Sequence, residues 1–561
     1  MDENVLMSIA TIGAFILGEY NEAVAVMIFY QIGELFQDYS MDKSRNDIKS
    51  LVDITSEYAN VYRDNAIIKV TPESVKVGET IVVNPYEKIP LDGEIIGGST
   101  MLNTSALTGE SIPRYVSVGD FVSSGLINND KVIKIKTTKE YKDSTATKIL
   151  ELIEDAADRK SKSENFITSF AKIYTPIVCF VALLTFVLPP IYQHFILQTN
   201  MDFETWGYRA LTILVISCPC AILISVPLAF FSSLGSMSKL GILVKGSHFI
   251  ESLAKVKTFV FDKTGTMTKG VFEVVGVHHN IMSETELFKY VASIEYFSNH
   301  PIAKSILKYY GRDVDLNDVS DVTEVGGRGL KGIVSGKVVL AGNEKLMRDY
   351  NIDYKDCNSV GTIVHVAIDN VYEGHILIKD IIKENAKEAL LKLKKLGAKQ
   401  NVMLTGDRES IANDVSTKIG IDSYKAELLP DDKLKYVEEM MPNDKLAFVG
   451  DGINDAPCIT RADIGIAMGA MGSDSAIDLA DIVLIDDNIE NVPIAYKMSK
   501  TTMRIVCENI FCSIGIKILV LILSIVGISN MWLAVFSDVG VMVLAVLNSI
   551  RLMYMHKKYV R

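Results

Sequence analysis

The chain has 561 residues, room for three or four domains at ~150 residues each, and carries 57 basic against 69 acidic side chains for a net charge of −12. Its 48% hydrophobic content excludes a disordered chain, and the lack of a positive excess excludes a basic nucleic-acid binder. Seven cysteines in this length make no disulfide framework.

The average hides two populations. Apolar runs cover Val5 to Leu17, Ala23 to Gly33, Ile173 to Leu197, Ala210 to Leu234, Ile510 to Val526 and Met531 to Ile550. The longer ones reach the ~20 residues of a spanning helix. The first is short, and its position before the second predicts a hairpin of two membrane helices. Lys43, Arg45 and Lys49 follow the second run, Lys239 and Lys245 the fourth, and Arg551, Lys557, Lys558 and Arg561 the sixth. By the positive-inside rule both termini and the two long polar segments are cytoplasmic. No basic n-region or cleavage site marks a secretory signal.

The polar segments cover about 40–165 and 240–505. The first has strand-like runs at Ala66 to Val70, Thr80 to Val83 and Lys131 to Ile135, punctuated by Gly and Pro, and predicts a small β-rich domain. The second has short apolar strands at Thr258 to Phe261, Gln400 to Leu404, Leu446 to Val449 and Ile482 to Ile485, alternating with helical stretches. That alternation predicts a parallel sheet with crossover helices.

Thr258 to Phe261 ends in Asp262-Lys263-Thr264-Gly265-Thr266-Met267-Thr268. A carboxylate at the carboxyl end of a parallel strand sits where such sheets bind ligands, and it can attack a phosphoryl group. Charge on the transferred group then needs magnesium and cations. Thr405-Gly406-Asp407 and Asp451-Gly452-Ile453-Asn454-Asp455 follow two further strands, and Lys433 lies between them. Each element alone reads as a turn. Together, in this order, they resemble the P-type ATPase signature over nearly the whole chain. The resemblance implies that Asp262 is phosphorylated, that Thr405 and Lys433 hold the phosphate, and that Asp451 binds magnesium with Asp262 and Thr264. It also places Lys263, Gly406, Asp407, Asn454 and Asp455 among the catalytic residues. Leu107-Thr108-Gly109-Glu110-Ser111 resembles the actuator loop, in which Glu110 would position the water that hydrolyses the aspartyl-phosphate.

His300-Pro301 with Glu295, together with Gly327, Gly329, Gly342 and Asn343, resembles the ATP pocket of metal-transporting members. No Walker-A sequence occurs. Within the fourth span lies Cys218-Pro219-Cys220. Proline breaks the helix, and two thiols favour soft cations. Buried inert cysteines beside a proline kink are the alternative reading. Lys517 and Asp538 interrupt the last two runs, and a functional role or a mutual pair is the default for such costly charges. A carboxylate beside two thiols suits divalent zinc, cadmium or lead better than monovalent copper. This resembles the zinc/cadmium/lead-exporting subgroup, with Cys218, Cys220 and Asp538 as ligands and Lys517 as a counter-ion in place of a counter-transported proton. Glu22 matches that subgroup's exit glutamate. Glu34, about 18 Å further along a continuous helix, would serve inward access. Interfacial solvation of helix ends is the alternative for both.

The fold class implied is a multi-domain α-helical membrane protein. It carries a cytoplasmic α/β haloacid-dehalogenase-like phosphorylation domain, an α+β nucleotide-binding domain and a β-rich actuator domain. The boundaries expected are a helical hairpin at 1–40, an actuator at 41–165, two further spans at 166–239, phosphorylation domain at 240–269 and 380–505, nucleotide domain at 270–379 and the last two spans at 506–561. The expected partners are the lipid bilayer, ATP with Mg2+ and a divalent metal ion, with no nucleic acid and a monomeric plasma-membrane protein. The subgroup usually has two further helices and often a metal-binding domain before the first span, and no Gly-Met-Thr-Cys-x-x-Cys element occurs here. Three rivals remain: a copper(I) exporter of the same fold, a membrane-anchored phosphatase, and a metal sensor built from degenerate ATPase parts.

Overall fold

The computed structural model describes the chain except residues 1–2, 22, 29, 33, 36–38, 40–54, 64–65, 104–112, 149, 152–161, 197, 199, 218–219, 299, 356–359, 452–454, 470–477, 527, 529–530 and 560–561, and the side chains of 3–7, 162–173, 220, 301, 525 and 531. It divides into two compact units, Met1–Val256 with Gly469–Arg561, and Lys257–Met468.

The first unit opens with α1 (Glu3–Ile16), ended by Gly18 at φ 84°. A short apolar helical stretch, Ala23–Ile32, follows. The β-rich segment then forms β1 (Ala59–Arg63), β2 (Ala66–Val70), β3 (Thr80–Val83), β4 (Gly93–Gly97), β5 (Thr100–Asn103), β6 (Arg114–Val116), β7 (Phe121–Val122), β8 (Ile127–Asn128) and β9 (Ile133–Thr137). Six of them make a sheet in the order β2-β1-β3-β9-β4-β7, and β6-β5-β8 make a second. β9 begins two residues later than the expected Lys131 start. The Asn128 side chain donates to the Lys131 carbonyl at 2.7 Å and holds those residues in a turn. Asp92 ties this domain together from inside. Its carboxylate accepts from the backbone and hydroxyl of both Ser124 and Thr145, at 2.7–3.1 Å.

The membrane helices begin with α2 (Lys162–Phe195) and α3 (Phe203–Ile216), whose first turn is capped by the Asp202 carboxylate. The expected fourth span is two pieces: α3 stops at Ile216 and α4 (Cys220–Ser238) resumes after Pro219, a residue that cannot donate to the ladder. α4 leads into the short strand β10 (Ile242–Val244).

In the second unit, β11 (Thr258–Asp262) leads through a turn into β12 (Thr268–His279), α5 (Glu284–Glu295) and α6 (Pro301–Tyr310). Next come β13 (Val319–Val325), β14 (Gly329–Val334), β15 (Lys337–Gly342), β16 (Thr362–Ile368) and β17 (Val371–Ile382). These make an antiparallel sheet in the order β12-β17-β16-β15-β14-β13. Alternate residues such as Leu330, Val334, Val339 and Ala341 face Leu287, Val291 and Ile294 of α5, as the period of two in a one-sided sheet requires. β18 (Gln400–Leu404), β19 (Ser423–Lys425), α7 (Pro430–Met440), β20 (Leu446–Gly450) and β21 (Ile464–Ala467) complete the unit. β21-β20-β11-β18-β19 pair in parallel. Phe259, Val260, Phe261 and Phe448 are fully buried, as expected of strands covered on both faces.

The chain then returns to the first unit through β22 (Ile482–Leu484). This strand runs antiparallel to β10. The hydrophobic run alone carried no direction. α8 (Asn491–Val526) and α9 (Val541–Ile550) follow, and both pack against α4. Among the described residues four helices are long and apolar enough to cross a membrane, within 174–195, 203–238, 491–524 and 532–558.

Candidate active site and membrane charge pair

Three parallel strands end level with one another. Asp262 pairs with Leu404, and Phe261 with Val449, so Asp262, Thr405 and Asp451 emerge at one sheet edge. α7 begins with Pro430 at its first position, which places Lys433 in its first turn. The Lys433 ammonium donates to Asp262 Oδ1 at 2.5 Å and to Asp455 Oδ1 at 3.0 Å. Burial, then the charges of Asp455 and Asp451, push the Asp262 carboxyl up to about 7 against the pull of Lys433. Burial likewise raises Asp455. Burial alone would lower Lys433, but the two aspartates outweigh it and hold the ammonium well above its usual range.

The signature turn is built for close approach. Thr264 (φ −78°, ψ 127°) and Gly265 (φ 75°, ψ −14°) have type II turn geometry, which requires glycine at the second position. A Cβ on Gly265 would stand 3.4 Å from Asp451 Oδ2, so the turn lies against that carboxylate. Lys263 is buried, with its ammonium 2.6 Å from Asp407 Oδ2 and 3.2 Å from Asp380 Oδ2. Burial lowers its pKa, but Asp407 and Asp380 reverse the sign. The Asp407 amide donates to Thr405 Oγ1 at 3.1 Å. Two residues that sequence reasoning missed complete this layer. Asp380 accepts from Thr268 Oγ1 at 2.5 Å, and Lys383 donates to the Gly265 carbonyl at 2.9 Å. Both stand at the far end of β17, and only their place in a Lys-Asp pair leaving a strand hinted at them.

Thr266 Oγ1 and Asp380 Oδ1 are buried without a protein hydrogen-bond partner. Among the described residues no three acidic, histidine or cysteine side chains converge as a metal cluster. Magnesium needs only one or two carboxylates, since it keeps several waters. Asp262 and Asp451 are hard oxygen donors at an edge where carboxylates outnumber ammonium groups, so the residues present fit that ion.

In the nucleotide region His300 caps α6, its Nδ1 accepting from the Ile302 amide at 3.2 Å. Glu295 is buried at the end of α5, and burial with Glu324 nearby pushes it up to about 7. Gly329 and Gly342 are cross-strand partners. A Cβ on Gly329 would lie 2.2 Å from the Ala341 carbonyl, and one on Gly342 would lie 2.2 Å from that of Arg328. Asn343 donates to the Gly327 carbonyl at 2.9 Å.

In the membrane helices Lys517 is buried and donates to Asp538 Oδ1 at 2.7 Å and to the Ile216 carbonyl at 3.0 Å. Ile216 is the last residue of α3, two before Cys218, so the charge pair sits beside the helix break. Asp538 lies in a π-type turn over Phe536–Gly540, a widening frequent at functional sites. Tyr30 donates to Glu34 Oε1 at 2.8 Å. Glu22, Glu110 with its loop, Cys218, Asn454 and the Cys220 side chain lie outside the described residues.

Residues 256–463 match the haloacid dehalogenase-like hydrolase family, and residues 53–154 match the P-type ATPase actuator domain. The chain is 47% identical to a zinc-transporting ATPase of Synechocystis sp., over 98% of this chain and 76% of that protein. It is 48% identical to a cadmium, zinc and cobalt-transporting ATPase of Bacillus subtilis, over 99% and 79%. The crystal structure of a zinc-transporting PIB-type ATPase in an E2.Pi state superimposes with a TM-score of 0.63 at 32% identity, over 99% of this chain and 90% of that one. Identity at this level along nearly the whole length means that the chain belongs to the P-type ATPase family, in its heavy-metal-transporting branch.

Proposed function

We propose that this multi-pass plasma-membrane protein uses ATP to export soft divalent ions, zinc and cadmium foremost and lead with them, through an aspartyl-phosphate. The observation that carries this reading is the buried Lys517–Asp538 pair against the Ile216 carbonyl, directly before Cys218-Pro219-Cys220. A carboxylate and an ammonium are of little use to a monovalent ion that prefers sulfur, which disfavours copper(I).

Asp262 attacks the γ-phosphorus of ATP. The new carboxylate O–P bond forms as the bond to the bridging oxygen breaks, and ADP leaves with that electron pair. Lys433 faces the phosphoryl oxygens from α7, and the Thr405 hydroxyl donates to them. Asp262, Asp451 and Thr264 would hold magnesium, which when bound would supply positive charge that favours the ionised Asp262. Lys263 orients Asp407 and ties the turn to Asp380. Glu295, His300, Gly327, Gly329, Gly342 and Asn343 form the adenosine pocket, where the two glycines act by letting strands approach. Glu110 later orients the water that releases phosphate. The metal takes Cys218, Cys220 and Asp538 as ligands, displacing Lys517, which then serves as counter-ion. Glu22 lies on the exit path and Glu34 on the inward one.

The domain limits we infer are a hairpin at 1–40, actuator at 41–165, spans at 166–239, phosphorylation domain at 240–269 and 380–505, nucleotide domain at 270–379 and final spans at 506–561. The protein acts as a monomer and without nucleic acid. The test is ATPase activity of purified protein against zinc, cadmium, lead, cobalt and copper(I), with Asp262→Asn as control. Stimulation by zinc and cadmium that is lost in the control is expected. Stimulation by copper(I) alone overturns the choice of metal, and metal-independent turnover points to a phosphatase.

A further inference from the structure

Arg408 stands where local physics argues against it. It follows the Thr405-Gly406-Asp407 turn and occupies the N-cap of the helix Glu409–Ile419, with extended backbone (φ −61°, ψ 148°). An N-cap usually carries Ser, Thr, Asp or Asn, whose oxygen accepts from an amide of the first turn. Arg408 makes no such bond. Its charge also faces the positive end of the helix dipole. Both effects weaken the start of this helix, so the reason for an arginine here lies elsewhere.

The side chain reaches across to the nucleotide wall. Its Nη1 lies 3.8 Å from Glu344 Oε1. Glu344 opens the short helix Glu344–Asp349, directly after Asn343, which donates to the Gly327 carbonyl. Arg408 thus leaves the sheet edge of Asp262 and Thr405 and ends beside the residues proposed to hold adenosine. An ATP seated on that wall, with its γ-phosphorus at Asp262, spans the same two elements as this guanidinium.

The present partner is easily given up. The two side chains are 73% and 40% exposed, and a long surface pair of this kind contributes little. Glu344 Oε2 also accepts from Arg348 at 3.3 Å, so Glu344 keeps a cation when Arg408 leaves. Glu409, the adjacent acid, accepts from the Tyr424 hydroxyl at 2.7 Å. A triphosphate offers several negative charges where Glu344 offers one, and the guanidinium fork matches phosphate oxygens through paired N–H donors.

We propose that Arg408 is a triphosphate-binding residue, exchanging Glu344 for the β- and γ-phosphate oxygens when ATP binds. The helix start forgoes its cap so that a cation can stand between the nucleotide wall and the phosphorylated aspartate. The exchange is one of ion pairs, and no covalent bond forms or breaks. The inference rests on the ATP reading above.

The test is equilibrium binding of AMP and ATP to the full chain in detergent, with Asp262→Asn present throughout to prevent turnover. Arg408→Asn removes the guanidinium and supplies a capping side chain. Without nucleotide it is expected to melt higher than its Arg408 parent. It is expected to bind ATP about tenfold more weakly, the loss of a charge-assisted contact, and to bind AMP unchanged. Arg408→Lys keeps the charge without the fork and should fall between the two. Unchanged ATP affinity in Arg408→Asn overturns the proposal. Equal losses for AMP and ATP overturn it too, since they would show a distorted pocket. A parent that binds neither nucleotide refutes the ATP reading itself, and this inference with it.

Discussion

The buried pair of Lys517 and Asp538 makes the sharpest quantitative prediction. The side chains are 11% and 3% exposed and meet at 2.7 Å, and the ammonium also donates to the Ile216 carbonyl at 3.0 Å. Lys517→Ala leaves the buried carboxylate without its ammonium, and Asp538→Ala leaves the buried ammonium without its carboxylate. Removing one partner of such a pair costs about 3–5 kcal/mol, mostly the desolvation of the charge left behind. Removing both leaves no unpaired charge, only the cavity left by two truncated side chains. Lys517→Ala/Asp538→Ala is therefore expected to fall well short of the roughly 6–10 kcal/mol to which the single changes sum. Unfolding in mixed detergent micelles, followed by tryptophan fluorescence, measures all four corners of the cycle. Additive single effects, or a Lys517→Ala protein as stable as the parent, would refute the reasoning. The same Lys517→Ala protein is expected to show impaired metal-stimulated ATPase, and an unchanged rate would remove the counter-ion role.

Glu295 gives a pH dependence. Its folded pKa of about 7 stands above the usual 4.5, so the folded state holds the proton more tightly than the unfolded one. Its burial costs nothing below pH 4.5, costs progressively more as pH rises, and costs roughly 3 kcal/mol above pH 7. Glu295→Gln should accordingly melt higher than the parent at pH 8 and level with it at pH 4.5; a difference independent of pH would show that Glu295 is not held neutral. Gly329→Ala places a methyl group 2.2 Å from the Ala341 carbonyl at a backbone φ of 144°. It should destabilise the second unit by about 2 kcal/mol or more and weaken ATP binding in an equilibrium titration. An unaltered melting curve would mean that the strands can part there at no cost.

Much of this protein is legible in its order of residues. Asp262 follows the apolar run Phe259-Val260-Phe261, and that run became a buried stretch of parallel strand because its side chains do not tolerate water. The second turn, Thr405-Gly406-Asp407, and Lys433 likewise announce themselves by chemistry at strand ends and at a helix start. Span positions follow from hydrophobic length, and the side of the membrane from lysine and arginine. Local patterns of this kind depend only on neighbours in the chain.

What only the fold decided depends on distant neighbours. Lys433 reaches Asp262 and Asp455 because α7 starts beside the level ends of parallel strands, a matter of register that no spacing encodes. Asp380 and Lys383 join the site because β17 returns to the strand after the signature turn, more than a hundred residues away. Strand Ile482–Leu484 takes β10 as an antiparallel neighbour, a pairing that hydrophobicity alone does not encode. Lys517 meets Asp538 through the azimuth of two packed helices. The sequence by itself thus determined which residues carry charge, which segments leave water and which turns close the parallel strands. The tertiary structure alone decided which charges face one another, because contact energy falls off within ångströms while sequence separation sets no distance.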